Sequence, residues 1–298
     1  MQQPRALRYP DFICIGAQKA GTSWLYRMLR QHPDIWLPPI KELHYFNRAH
    51  RKSGKNAETG PTALDLGRMD RVARTIRWTT SSSLKTQEKR ELISCLELIG
   101  AATLSDEWYG TIFGTAPMSA LCGEITPEYA LLPERGVKHM LRLQPKLKLI
   151  FLLRDPIERG WSHLRMEAER GRSHEAVQWT SRPGFLSYAD YMSTIERYRA
   201  HVPAPDFLTL FFDDIVERPR FLLEQACAFL GLDCNEVEFQ HMDEPVHLGP
   251  PQPMEPDYYA AARERLAPIY RRLLALENPI VERWHATHYA GASTHLIR

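Results

Sequence analysis

Short apolar runs alternate along the chain with segments whose apolar residues recur at helical spacing. Four runs are rich in leucine, β-branched and aromatic residues and have the length of a buried strand; they occupy residues 11–16, 119–125, 148–153 and 207–212. Helical spacing bounded by proline or glycine predicts helices from residue 22 toward Pro33 and over 87–99, 156–169, 219–230 and 257–276. Strands that alternate with helices predict an α/β fold of three layers, in which helices flank a central, mostly parallel sheet.

The length of 298 residues suits one large domain with a substantial core. We expect a single domain over residues 1–298. Residues 48–83 interrupt the pattern, since they are polar, contain glycine, serine and threonine, and offer few apolar anchors. They are therefore predicted to form an insertion or a flexible loop within that domain.

Charge and cysteine content narrow the classes of ligand and location. The 38 basic residues nearly balance the 36 acidic ones, which argues against nucleic acid as the main ligand. The five cysteines are scattered without a C-x-x-C pair, so neither a disulfide framework nor a structural zinc site is expected. The N-terminal stretch shows no signal peptide, and no apolar run approaches the ~20 residues that span a bilayer. We therefore expect a cytoplasmic protein without a membrane span.

A glycine-bearing loop joins the first predicted strand to the first predicted helix, and it reads G-A-Q-K-A-G-T-S-W from Gly16 to Trp24. Small residues let backbone N–H groups approach an anion, and the helix that follows adds the positive end of its dipole. The two glycines keep the spacing of a nucleotide-binding P-loop. However, Thr22 occupies the place of the P-loop lysine, and Lys19 lies three residues earlier, which argues against an ordinary nucleoside triphosphatase.

The stretch GAQKAGTSWL resembles the 5′-phosphosulfate loop of sulfotransferases that use 3′-phosphoadenosine 5′-phosphosulfate (PAPS). The resemblance implies a P-loop-like fold. It also implies that Lys19 stabilises the leaving phosphate during catalysis. The loop residues implied to bind PAPS are Lys19, Ala20, Gly21, Thr22, Ser23 and Trp24.

A second stretch, L-L-R-D-P-I-E-R-G-W-S-H, follows the strand at 148–153 and resembles the 3′-phosphate motif of the same family. The resemblance implies that Arg154 and Ser162 bind the 3′-phosphate of PAPS. Arginine grips phosphate through two parallel hydrogen bonds, and Ser162 lies about two helical turns further on. Because Gly16 and Arg154 both end strands of one parallel sheet, we expect them to converge.

The segment K-E-L-H-Y-F-N at 41–47 resembles a stretch of heparan-type and related carbohydrate sulfotransferases. The resemblance implies that Glu42 is the base that deprotonates the acceptor. Lys41 and His44 are expected to contact the acceptor. His44 and His163 are alternative bases, since histidine serves as the base in many small-molecule sulfotransferases.

Two further segments are candidates for the acceptor side. G-E-I-T-P-E-Y at 123–129 resembles a family segment, but Ile125 stands where heparan-type members carry a lysine, which weighs against a heparan-like acceptor. We expect acceptor contacts from Glu124, Tyr129 and Trp108. A role in the hydrophobic core is the alternative for the aromatic residues.

These resemblances predict a sulfotransferase that moves the sulfonyl group of PAPS to a hydroxyl or amine and releases 3′-phosphoadenosine 5′-phosphate (PAP). The expected acceptor is a carbohydrate or glycoconjugate; a hydroxyl of a lipid or other natural product is the alternative. No metal is expected, since no cluster of acidic residues and histidines stands out in the sequence. Two other functions are possible: a kinase-like phosphotransferase, and a nucleotide-binding module without catalysis.

Overall fold

The computed structural model describes residues 6–50, 66–81, 85–100, 104–172, 174–244, 246 and 252–290. In this part of the chain, a five-stranded sheet has the order β2-β3-β1-β4-β5, and every neighbouring pair is parallel. The strands are β1 (Phe12–Gly16), β2 (Ile35–Trp36), β3 (Leu121–Ile125), β4 (Lys148–Leu153) and β5 (Phe207–Phe211). The central strand β1 is buried along its whole length.

Helices connect the strands and flank the sheet, as the sequence predicts. Those before β3 are α1 (Thr22–Leu29), α2 (Tyr45–Ala49), α3 (Leu66–Ser81), α4 (Thr86–Gly100) and α5 (Asp106–Phe113). Those between β3 and β5 are α6 (Glu134–Leu143), α7 (Pro156–Glu169), α8 (Ala176–Thr180), α9 (Pro183–Ser187) and α10 (Tyr191–Arg199). Those after β5 are α11 (Phe212–Glu217), α12 (Pro219–Leu230), α13 (Pro256–Leu273) and α14 (Pro279–Tyr289). Short 3₁₀ turns occupy Pro127–Leu131, Ala204–Asp206 and Leu274–Leu276.

The four predicted strands are confirmed with small changes at their ends, and the predicted parallel α/β sheet is confirmed. The sequence did not reveal β2, because a strand of two residues is too short to produce a pattern.

The predicted insertion or flexible loop at 48–83 is helical in part, since residues 48–49 end α2; that the segment is an insertion stays a prediction. Residues 66–81 form α3, and residues 51–65 and 82–83 lie outside the described residues. Within α3, Val72 and Thr79 are buried and Ile76 is partly buried, and these positions share one face of the helix. This face packs against α4. With so few apolar positions, the helical period of the segment is hard to see in the sequence.

The start of α7 is fixed by a buried aspartate. Oδ1 of Asp155 accepts hydrogen bonds from the backbone N–H groups of Ile157 and Glu158 at 2.9 and 3.0 Å, which caps the helix. The same carboxylate accepts the hydroxyl of Tyr270 at 2.7 Å and lies 3.0 Å from Nε2 of His288. Helices α13 and α14 are thereby attached to the turn that follows β4, which is the turn that presents Arg154.

Candidate active site

The loop from β1 to α1 leaves backbone donors free for a ligand. The N-cap residue of α1 is Gly21, so no side chain caps the first turn of this helix. The first N–H groups of a helix have no partner within the helix, and the helix dipole favours an anion there. The hydroxyl groups of Thr22 and Ser23 lie at the same end. The loop therefore presents the donors that a phosphosulfate group requires.

Two glycines in the loop are required by the local packing. Gly21 has φ 91°, a conformation that favours glycine, and a Cβ atom there would overlap the side chain of Ile215. A Cβ atom on Gly16 would lie 2.9 Å from the Cβ of Ala130. A 2.7 Å hydrogen bond from the N–H of Ala17 to the carbonyl of Leu152 in β4 attaches the loop to the sheet.

Arg154 meets this loop, as the sequence predicts. Its Nη1 donates a hydrogen bond of 3.3 Å to the carbonyl of Lys19, and its guanidinium lies 4.4 Å from the ring centroid of Phe212. Its Nη2 lies 3.5 Å from a carboxylate oxygen of Glu158. Ser162 lies two turns into α7 and is half-buried. Its contact with the 3′-phosphate stays a prediction.

Lys41, which is predicted to contact the acceptor, also reaches the donor loop; its contact with the acceptor stays a prediction. Its Nζ donates hydrogen bonds of 3.1 Å to Oγ1 of Thr22 and 3.2 Å to Oγ of Ser23. It also lies 3.4 Å from Oε1 of Glu42. Lys41 therefore connects the hydroxyl groups of the phosphate loop to the candidate base.

Three cations of this site are desolvated before any ligand binds. Burial lowers the pKa of Lys19, and the nearby charge of Arg154 lowers it further. Burial also lowers the pKa of Lys41 and of Arg154, against the opposing charges of Glu42 and Glu158 respectively. Partly buried positive charges of one sign gain from a bound anion. The electrostatics therefore match a ligand with several negative charges.

On the acceptor side, one histidine bridges two carboxylates. Nε2 of His44 lies 3.2 Å from Oε2 of Glu42, and its Nδ1 lies 3.4 Å from Oε2 of Glu128. Asn47 Nδ2 donates a 2.6 Å hydrogen bond to the same oxygen of Glu128. Burial opposes protonation of His44, but the hydrogen bond with Glu128 and the charges of both carboxylates outweigh it and raise the pKa of the ring. When its ring is protonated, His44 can donate a hydrogen bond toward each of the two carboxylates.

These contacts favour Glu42 as the base over the two histidines that are alternative bases. The raised pKa of His44 extends the pH range over which its ring carries a proton, which favours His44 as a partner of Glu42 over His44 as the base. His163 packs edge-on against Trp179 and Tyr188, with ring centroids 5.0 and 5.7 Å away. Burial, together with nearby arginine and lysine charges, lowers its pKa to about 3, which makes it a weak base.

Three residues predicted to contact the acceptor lie in the interior. Glu124 is 2% exposed and accepts hydrogen bonds from the hydroxyls of Tyr109, Thr126 (2.6 Å) and Tyr129 (2.9 Å). Tyr129 is fully buried, and Nε1 of the buried Trp108 donates to the carbonyl of Leu98 at 2.7 Å. Their burial and satisfied hydrogen bonds favour a structural role over a contact with the acceptor.

The side chain of Trp24, a residue that the resemblance implies binds PAPS, is also buried. Its side chain is 3% exposed, and its Nε1 donates a 2.8 Å hydrogen bond to the carbonyl of Met242. This contact attaches the segment around Met242 to α1. The backbone N–H of Trp24, in the first turn of α1, is the group of this residue that remains available to a ligand.

A pocket of about 480 Å³ opens beside the two linked carboxylates. The turn after β3 contributes Glu128 and several apolar residues to its wall, and other segments contribute Asn47, His50 and Arg197. Oδ1 of Asn47 and Nε of Arg197 are buried without a hydrogen-bond partner. Tyr188 completes the wall, and after burial the charge of Glu128 is the largest influence that raises the pKa of its phenol. We call this the acceptor pocket.

Sequence reasoning missed Glu128, Tyr188 and Arg197, which line this pocket. Asn47 and Glu128 stand inside segments that resemble the family, so their polar character was a usable signal. Tyr188 and Arg197 lie more than 140 residues from Glu42 in segments without a recognisable motif. Tertiary structure alone brings them to the site.

Among the described residues, no group of three or more histidine, cysteine, aspartate or glutamate side chains is arranged to hold a metal ion. Within the same part of the chain, no helix is both long enough and apolar enough to cross a bilayer.

Comparison with known proteins identifies the family of this chain. A model described as the sulfotransferase family matches residues 10–236. Human carbohydrate sulfotransferase 15 is 30% identical over 180 residues, which cover 56% of this chain and 30% of the human protein. The mouse protein of the same name is 29% identical over the same shares of the two chains. The chain thus spans less than a third of the length of these relatives.

Solved structures share the fold. A sulfotransferase from Alicyclobacillus acidocaldarius superposes with a TM-score of 0.65 at 21% identity, covering 94% of this chain and 100% of that one. The sulfotransferase domain from the curacin biosynthetic pathway gives a TM-score of 0.50 at 14% identity, covering 89% and 98%. At these identities the likeness extends to the fold.

Proposed function

The chain belongs to the sulfotransferase family, and from this premise we propose that it transfers the sulfonyl group of PAPS to a hydroxyl group of a carbohydrate. One observation carries the proposal. The candidate base Glu42 lies 3.4 Å from Lys41, whose ammonium also binds both hydroxyls of the phosphate loop. A base and an anion site that share one lysine suit a direct transfer between two bound substrates.

The residues present fit PAPS as the donor. Its 5′-phosphosulfate would bind at Lys19 and at the free N–H groups and hydroxyls that begin α1, and its 3′-phosphate at Arg154 and Ser162. Three desolvated cations would offset the charges of the nucleotide. Neither the site nor this reaction calls for a metal ion.

The proposed mechanism is a single in-line transfer. Glu42 takes the proton of the acceptor hydroxyl while the oxygen attacks sulfur, and the bond between sulfur and the bridging phosphate oxygen breaks. Lys19 and Lys41 stabilise the negative charge that grows on the departing phosphate oxygen. His44 orients Glu42 through their 3.2 Å contact, and Glu128 fixes the other side of the ring.

Two observations support a carbohydrate over a lipid or other apolar hydroxyl. The acceptor pocket contains unpartnered polar atoms on Asn47 and Arg197, which a sugar hydroxyl would satisfy. The local similarity to carbohydrate sulfotransferase 15 covers more than half of the chain.

The test begins with nucleotide binding in the absence of divalent metal. Calorimetry should show that PAP binds more tightly than ATP and that magnesium does not strengthen the binding. Labelled PAPS should then transfer its label to sugars in a panel that also contains phenols, sterols and fatty alcohols. Preferential binding of magnesium–ATP would contradict the donor assignment, and labelling confined to the lipids or phenols would contradict the carbohydrate assignment.

A further inference from the structure

A separate pocket of about 460 Å³ lies between α1, α3 and α4, and Lys41 forms part of its wall. Its volume is in the range of about 300–1,000 Å³ that ligand sites occupy. Among the described residues that line it, four are cationic and none is acidic: Arg30, Lys41, Arg71 and Arg74. We call this the basic pocket. Neither the donor loop motif nor the acceptor motif accounts for it.

Helix geometry places the cations of the basic pocket on the helix surfaces that line it. Arg71, Arg74 and Thr75 are spaced by three and four residues, so they lie on one face of α3. Arg30, at the end of α1, lies over the ring of Tyr26 at 5.4 Å from its centroid. The positive charges therefore face a shared space from two helices and from the loop that carries Lys41.

Within the part of the chain that the structure describes, few negative groups offset these charges. Nε of Arg71 is buried and has no hydrogen-bond partner. Arg74 pairs with Asp70 at 2.8 Å, but both side chains are more than 60% exposed, where water and salt weaken such a pair. A buried donor without a partner, in a pocket of one charge sign, is stabilised when an anion binds.

The position of the basic pocket separates it from the two donor phosphate sites. Lys19 and Arg154 meet at the ends of β1 and β4, whereas the basic pocket adjoins α3 and α4. Lys41 joins the two regions, because its ammonium contacts Thr22, Ser23 and Glu42. An anion in the basic pocket would therefore lie next to the reacting groups, where part of the acceptor must be.

We propose that the basic pocket binds a carboxylate or sulfate group of the acceptor, so that preferred acceptors already carry a negative charge near the hydroxyl that receives the sulfonyl group. This inference rests on the proposed function, and it assigns the acceptor to the class of anionic saccharides. Arg71 and Arg74 would act as specificity-determining residues that contact the acceptor but take no part in the transfer.

The test uses the full chain saturated with PAP, which occupies the donor site. Calorimetry would compare a hyaluronan hexasaccharide with its carboxyl-reduced form, which keeps the sugar chain and loses the charges. The same titrations would be made with an Arg71→Gln, Arg74→Gln double variant. Arg90→Gln, an exposed charge loss on α4 outside the pocket wall, is the matched control. Inorganic pyrophosphate would serve as a competitor without a sugar.

We expect the anionic hexasaccharide to bind wild-type protein at least about tenfold more tightly than the reduced form. The double variant should lose this preference, the control should keep it, pyrophosphate should compete, and PAP affinity should stay the same in all three proteins. Equal affinity for both hexasaccharides, no binding of either, a preference that survives in the double variant, or binding of pyrophosphate alone would overturn the inference. Failure of wild-type protein to bind PAP would instead overturn the proposed function.

Discussion

The donor and acceptor sides of this site are built in different ways. On the donor side, one unbroken segment supplies a helix start, two hydroxyls and a lysine, and Arg154 joins it from the end of the neighbouring strand. On the acceptor side, Glu42 and His44 share a motif, but Glu128, Tyr188 and Arg197 come from segments far along the chain. Backbone geometry fixes the first region, and side-chain packing fixes the second.

The difference teaches which substitutions each region tolerates. Substitutions other than proline leave the backbone N–H groups of α1 in place, so such variants of the donor region should lose function mainly through changes to its charged side chains. The acceptor region depends on a chain of contacts from Lys41 to Glu42, His44 and Glu128. A change at one member should therefore disturb its neighbours, and effects in this chain should not add.

Glu42→Gln should cause the largest loss of activity. The substitution keeps the shape of the side chain and removes its ability to accept a proton, so kcat should fall by ~10²–10⁴-fold. Affinity for PAP should change little, because Glu42 lies on the acceptor side. The measurement is steady-state transfer from PAPS, with PAP binding by calorimetry. His163→Phe, which keeps an aromatic ring between Trp179 and Tyr188, should retain most activity. If Glu42→Gln kept normal turnover and His163→Phe lost it, the histidine would be the base.

Lys19→Met should reduce kcat by ~10²–10³-fold, because it removes a preorganised positive charge from the departing phosphate oxygen. Lys138→Met is the control, since this lysine is exposed on α6 and pairs only with Glu134 at 2.7 Å among the contacts described. It should leave the rate unchanged. If Lys19→Met weakened PAPS binding and left kcat intact, Lys19 would serve binding alone, and Lys41 would be the group that stabilises the transition state.

Arg154→Gln should act on binding more than on rate. Hydrogen bonds to charged groups are worth about 1.5–3 kcal/mol, so the Kd for PAP should rise by roughly 10–150-fold. AMP, which lacks the 3′-phosphate, provides the internal control. Its Kd should change much less, so that the variant loses the preference for PAP. An equal loss of affinity for both nucleotides would move Arg154 away from the 3′-phosphate.

The positions of the donor-side residues follow from the sequence, and the positions of the acceptor-side residues follow from it only in part. Gly16, Gly21 and Arg154 stand at strand or helix ends, where local pattern and parallel-sheet geometry fix their positions. Glu124 and Tyr129 also lie in a segment that resembles the family, yet their side chains are buried. Helices α2 and α5 pack against β3 and the turn that follows it, and this packing decides which side chains there are covered. Local pattern does not carry that information.

Glu124→Gln is the variant that we expect to change turnover least, and it tests whether Glu124 has a structural role. An amide keeps one acceptor oxygen where the carboxylate offers two, so the hydroxyls of Tyr109, Thr126 and Tyr129 can no longer all be satisfied. Unfolding free energy should fall by about 1–3 kcal/mol near neutral pH. The folded variant should still turn over at nearly the normal rate.

The pH dependence of stability supplies an independent check on Glu124. Burial raises its pKa, against the three hydrogen bonds that favour the charged form. The folded state therefore holds this proton more tightly than the unfolded state, and stability should fall as pH rises from the ordinary pKa of a glutamate to the raised value. Glu124→Gln should remove that slope, which denaturant titrations at several pH values would measure. If the variant instead kept its stability and lost turnover, Glu124 would belong to the acceptor site. The distinction between a buried structural carboxylate and the partly exposed Glu42 would then be wrong.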